Sequence, residues 1–176
     1  MLLPKFLRLA AGMLALTALG RAADAAPSSL AGTWRIDLKR STELSPWNSF
    51  DLVIALDGPR VSITRKLAWG RRDFTDQITI DTTKRENVVP IDWWADNRHL
   101  GAYVGQDHRR RIHAQWLDDR RILRLSTDLV LEAQQGPRAV NILSDYKVSA
   151  SGAQLTLTEL RSTRNRPVVY VFNRIP

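Results

Sequence analysis

From Gly32 onward, apolar and polar residues alternate in short runs broken by clusters of Gly, Pro, Asn and Asp. That is the period of a strand with one buried face, and no stretch sustains the period of a helix. The runs predict strands over 31–38, 49–57, 60–69, 72–81, 86–93, 99–105, 109–117, 121–133, 138–149, 153–163 and 166–174. No linker, repeat or shift in composition divides them, so residues 26–176 read as one domain.

The turn residues fix registers. Gly70-Arg71 suits a two-residue hairpin loop with Gly first. Leu67 then faces Phe74, Ile63 faces Ile78, and Val61 faces Ile80, all on one face. The same face carries Arg65 opposite Asp76, which predicts a charge-assisted hydrogen bond between them. A loop at Ser151-Gly152 sets Val148 opposite Leu155, Tyr146 opposite Leu157, and Ser144 opposite Glu159. A loop at Arg164-Asn165 pairs Leu157 with Phe172, Glu159 with Tyr170, and Arg161 with Val168. A loop at Asp119-Arg120 pairs Trp116 with Leu123 and Ala114 with Leu125, with Arg110 the first inward charge along that strand.

Consecutive hairpins predict an all-β, antiparallel up-and-down meander. Pairing of the first and last strands closes it into a barrel of about 8–11 strands. The alternative is a two-sheet β-sandwich, which the same alternation allows.

The segment Leu30-Ala31-Gly32-Thr33-Trp34-Arg35-Ile36-Asp37 resembles the opening of lipocalin-like, calycin-type barrels, whose first strand begins Gly-x-Trp. Ser144-Asp145-Tyr146 is loosely similar to that family's Thr-Asp-Tyr motif, although here it falls inside a strand. Small exported bacterial proteins that open with Gly-Thr-Trp and end in a Tyr-Val-Phe strand are the nearest likeness. The resemblance implies that Trp34 plugs one barrel end and that Arg174, ending the last strand, packs across it as a cation over an indole.

Ahead of the strands lies a segment of different character. Lys5 and Arg8 precede the apolar run Leu9 to Gly20, and Ala23 and Ala25 stand at A-x-A spacing. This is the pattern of a secretory signal over 1–25, and the run is too short for the roughly 20 residues of a spanning helix. The expected location is therefore periplasmic or secreted. Removing 1–25 takes away three basic residues and one acid, lowering the formal charge from +8 to about +6. With no cysteine in the chain, no disulfide can support the fold, and stability rests on the core. The basic balance favours anionic partners, including peripheral contact with an anionic envelope surface.

Candidate chemistry is sparse. His99, His108 and His113 lack ligand spacing, so no metal is expected. No nucleophile elbow or phosphate-cradling glycine loop is present, and no motif points to a cofactor or a catalytic residue. Asp107 to Arg111 is strongly basic but lacks interleaved aromatics, so nucleic acid is not an expected partner. The inward polar set comprises Arg65, Asp76, Ser144, Glu159, Arg161 and Tyr170. Polar groups in an apolar cup are what orient a small ligand. Trp94, Asp96, Arg98 and His99 form a second candidate cluster in a loop where a ring could stack and polar groups could hydrogen-bond. In that reading Trp93 and Trp94, adjacent on a strand, point to opposite sides.

Three functions follow. The first is an exported, non-enzymatic binding protein for a small amphipathic or anionic molecule. The second is a hydrolase or isomerase using Asp76 or Glu159 on a sugar or lipid-derived substrate. The third is an envelope interaction or inhibitor protein without a cavity. All three share the leader, and its cleavage can be checked directly. N-terminal sequencing of the exported form should begin near Ala26, whereas an intact Met1 in a membrane fraction would contradict export as a soluble protein.

Overall fold

A computed structural model describes residues 29–42, 47–94 and 103–176. The strands are β1 (Gly32–Ile36), β2 (Ser49–Asp57), β3 (Arg60–Trp69), β4 (Arg72–Asp81), β5 (Asn87–Pro90), β6 (Tyr103–Val104), β7 (Arg109–Leu117), β8 (Ile122–Ala133), β9 (Gly136–Val148), β10 (Gln154–Arg161) and β11 (Val168–Ile175). A single 3-10 turn, η1 (Leu38–Arg40), follows β1. All eleven strands belong to one antiparallel sheet, ordered β4-β3-β2-β1-β11-β10-β9-β8-β7-β5, with β6 on β8. The fold is thus the nearly closed barrel and not the sandwich.

Three hairpin registers follow the turn residues. Leu67, Ile63 and Val61 face Phe74, Ile78 and Ile80 across β3 and β4. Val148 and Tyr146 face Leu155 and Leu157 across β9 and β10. Trp116 and Ala114 face Leu123 and Leu125 across β7 and β8. The fourth differs. Leu157 pairs with Tyr170 and Glu159 with Val168, two residues from the expected register. The chain turns earlier, with Arg164 N–H donating to Arg161 C=O. Pro167 has no N–H to give a ladder, so Arg164 to Pro167 form the rest of a longer loop. A two-residue slip preserves the inward face, so the core is unaffected.

β1 and β11 pair antiparallel, with Trp34 opposite Arg174. Trp34 is fully buried, and its indole N–H donates to the Leu30 carbonyl at 3.0 Å. The Arg174 guanidinium lies 4.0 Å from the ring centroid. It also donates to the carbonyls of Ser29, Ala31 and Gly152. Gly32 has φ +140, and a Cβ there would meet that guanidinium, so the approach of Arg174 requires glycine. Beneath the plug, Leu52, Tyr146, Leu155, Leu157 and Phe172 are all fully buried.

The β1–β11 ladder does not close the whole sheet. β4 and β5 are its two edges, and no ladder joins them. Side chains close this seam instead. Near the plugged end, Asp81 N–H donates to Asn87 Oδ1 at 2.8 Å, and Asn87 Nδ2 donates back to the Asp81 carbonyl at 3.1 Å. Farther up, Arg110 on β7 clasps Asp76 on β4.

The plug supports a prediction about stability. Trp34→Ala should destabilise the barrel by about 3–5 kcal/mol, as a large-to-small core change does. Urea denaturation measures it, and a loss within experimental error would show that the plug does not hold the end closed.

Candidate functional site

Alternation carries one set of charges inside the apolar barrel, above the solid core. A cavity of about 70 Å³ lies there, lined by Arg65, Asp76, Arg110, Ser144, Glu159 and Arg161 among apolar side chains. Phe74, Trp93 and Trp94 form its aromatic wall. Phe74 and Trp93 have ring centroids 4.0 Å apart, and Trp47 meets Trp93 edge-on at 5.8 Å.

The inward charges do not pair between ladder partners. Arg65 and Asp76 are register partners, as expected, but their side chains bond elsewhere. Arg65 Nη2 donates to the Tyr146 hydroxyl at 2.6 Å and lies 3.7 Å from Glu159 Oε1. Asp76 accepts from Arg110 Nη1 at 3.1 Å and Nη2 at 2.7 Å, a bidentate pair. Opposed Cα positions do not decide where a long guanidinium reaches, and β7 brings Arg110 to the same seam from far along the chain. Arg161 Nη2 donates to Glu159 Oε2 at 2.7 Å and stands 5.7 Å from the Trp94 ring.

Burial sets the electrostatics. It pushes the Glu159 carboxyl above the ordinary range, against the pull of Arg65. It lowers Arg161 to about 10. It lifts Tyr170 to about 12, with the Glu159 charge adding to the effect. Burial also raises Tyr146, against the pull of the Arg65 cation.

Of the residues expected from sequence, Arg65, Asp76, Ser144, Glu159, Arg161 and Trp94 line this one cavity. Tyr170 is buried beside Arg161 but does not line it, and its ring packs edge-on against Phe50 at 5.7 Å. Asp96, Arg98 and His99 lie outside the described residues. The expectation that Trp93 and Trp94 point apart is corrected. β5 ends at Pro90, residues 91–94 are not a strand, and both indoles line the cavity.

Sequence reasoning missed two participants. Arg110 was visible as an inward charge but gave no sign of its partner across the seam. Tyr146 was read only as apolar packing, although its hydroxyl meets Arg65. Arg110 has a further property. It is 8% exposed, and its buried Nε–H has no acceptor among the described residues. A buried donor left without an acceptor costs about 1–3 kcal/mol.

No protein-family model matches the chain, and no curated protein matches it in sequence. Solved structures do resemble it. Lipid binding protein 8 from Caenorhabditis elegans, in its apo form, is 11% identical over 84% of this chain and 96% of that one, with a TM-score of 0.53. Secretory abundant heat soluble protein 4 from Ramazzottius varieornatus is 6% identical over 85% and 97%, with a TM-score of 0.52. Another secretory abundant heat soluble protein from that organism is 10% identical over 86% and 98%, with a TM-score of 0.51. At these identities the likeness shows a shared calycin-like fold.

The pairing makes a prediction that separates the two possible partners of Asp76. A double-mutant cycle of Arg110→Met with Asp76→Leu should show strong coupling, each single change costing about 3–5 kcal/mol and the pair recovering much of it. The cycle of Arg65→Met with Asp76→Leu should show weaker coupling. The reverse order would mean that the ladder partners bond to one another.

Proposed function

We propose that this protein is an exported, non-enzymatic binding protein whose interior holds a compact anionic or amphipathic molecule. The observation that carries the reading is Arg110. Its Nε–H, buried and without an acceptor among the described residues, belongs to a side chain lining a cavity beside Arg65, Trp93 and Trp94. A carboxylate or phosphate oxygen is the natural acceptor for such a donor. The aromatic wall suits an apolar body attached to that head.

Size narrows the ligand. A cavity of about 70 Å³ is well below the roughly 300–1,000 Å³ of ordinary ligand pockets. It accommodates a head group or a molecule of several non-hydrogen atoms, with any longer chain outside the walls. The likeness to lipid binding protein 8, a protein named for binding lipid, supports the use of a barrel interior for a ligand. The leader over 1–25 supports export.

The pairing of the carboxylates favours binding over acid–base chemistry. Asp76 is clasped by Arg110, and Glu159 is held by Arg161, so each is committed to a cation. A general base needs a carboxylate available to a substrate proton. The cavity itself disfavours a purely surface-acting envelope protein.

Native mass spectrometry of the purified protein tests the reading. A bound small molecule, or uptake of added short-chain carboxylates, is expected. Arg110→Met combined with Asp76→Leu should stay folded yet lose at least about tenfold in affinity, since a charge-assisted hydrogen bond contributes about 1.5–3 kcal/mol. Equal binding by that variant, or none by the native protein, would contradict the proposal.

A further inference from the structure

The barrel has two unlike ends. The plugged end carries Trp34, the β2–β3 and β9–β10 turns and the β7–β8 turn, and its charges are mixed. There Asp118 pairs with Arg121 at 2.8 Å, and Asp81 lies near Lys84 and Arg60. Of the exposed large apolar side chains among the described residues, Val88, beside Asn87, is the one near this end.

The mouth differs along one arc. The strand order β4-β3-β2-β1-β11-β10 makes three of its connections neighbours: the β3–β4 turn, η1 after β1, and the β10–β11 loop. η1 is pinned to β11, because Thr42 N–H donates to Val169 C=O and Asp37 N–H to Val171 C=O. On this arc Lys39, Arg40, Arg71, Arg72, Arg164 and Arg166 are all exposed. Two large apolar side chains stand among them, Leu38 at 47% exposure and Trp69 at 41%. Arg72 lies 5.9 Å from the Trp69 ring centroid, so cation and indole form one unit at the hairpin tip. Among the described residues the acids of the arc are fewer. Asp37 is used in capping η1, where it accepts from Lys39 N–H, and Asp73 follows Arg72.

Water is a poor environment for an exposed indole and leucine, and their placement among cations calls for a partner with both characters. An anionic bilayer surface has both: negative head groups for the guanidinium and ammonium groups, and an interfacial zone in which an indole rests. An acidic polymer offers charge, but to use aromatic side chains it needs several of them along a groove. Here the apolar groups sit singly on separate tips. We infer that this arc of the mouth seats the protein on an anionic lipid surface, with Trp69 and Leu38 entering the interface and the flanking cations facing the head groups. The seat is independent of what the interior holds.

Co-sedimentation with phosphatidylcholine vesicles, with and without phosphatidylglycerol, tests this on the full chain. The readout is the difference between the two vesicle types, because the apolar run Leu9 to Gly20 would enter either one. Binding should be stronger to the vesicles that contain phosphatidylglycerol, and that excess should shrink as salt rises. Each neutralised arginine should lower the partition coefficient about fivefold, the equivalent of about 1 kcal/mol per charge near such a surface. The variant carrying Arg71→Gln and Arg72→Gln should therefore lose more than about tenfold. Trp69→Ala should weaken binding and remove a blue shift of indole emission on adding vesicles. Lys84→Gln with Arg85→Gln, at the plugged end, should bind as the native protein does. Four results would overturn the inference: equal binding to both vesicle types, no vesicle binding, no effect of the Arg71 and Arg72 changes, or an equal loss from the Lys84 and Arg85 changes. Retention on an acidic polysaccharide without vesicle binding would overturn it in favour of a polymer partner.

Discussion

Charge inside an apolar barrel must be neutralised by other charge, and that requirement organises the upper half of this molecule. Period-two alternation puts Arg65, Asp76, Arg110, Glu159 and Arg161 on the same face as the core residues. Each unpaired ion there would carry a desolvation penalty of several kcal/mol. The pairs form where long side chains can meet across the interior. Asp76 and Arg110 in doing so tie β4 to β7 over a seam that no backbone ladder crosses. One interaction thus closes the wall and sets the polar side of the cavity.

The lower half is built from a different requirement. Trp34 is enclosed by Leu30, the β1 backbone and the Arg174 guanidinium, and the layer above it is packed without exposure. With that end solid, any interior space must lie toward the mouth. Trp93 and Trp94 line it there, on the residues that follow the end of β5 at Pro90. An apolar floor, a charged belt and an aromatic wall thus follow one another toward the mouth, and the proposed ligand reading rests on that order.

How much of this was legible in the sequence depends on the length scale of each feature. The two-residue turn at Gly70-Arg71 declares its register locally, and so does the longer loop at Ser151-Gly152, and the apolar pairs follow. The Arg164-Asn165 loop misled because a turn at Arg161–Arg164 precedes it and Pro167 cannot join a ladder. Which face Arg65 and Asp76 occupy was readable, and so was their register. Their true partners were not, because Tyr146, Glu159 and Arg110 come from strands brought near only by closure of the sheet. The inward turn of both Trp93 and Trp94 was equally hidden, since alternation has no meaning once the strand has ended.

The central claim is that the interior guanidinium groups are largely buried and that the Nε–H of Arg110 is available to an anion. The side-chain Nε–H resonances of arginine, followed by nuclear magnetic resonance, test both parts at once. Those of Arg65, Arg110 and Arg161 should be protected from solvent exchange, and the Arg110 resonance should move on adding a short-chain carboxylate and saturate with it. Rapid exchange at all three, or an Arg110 resonance unmoved by every small anion tried, would contradict the account.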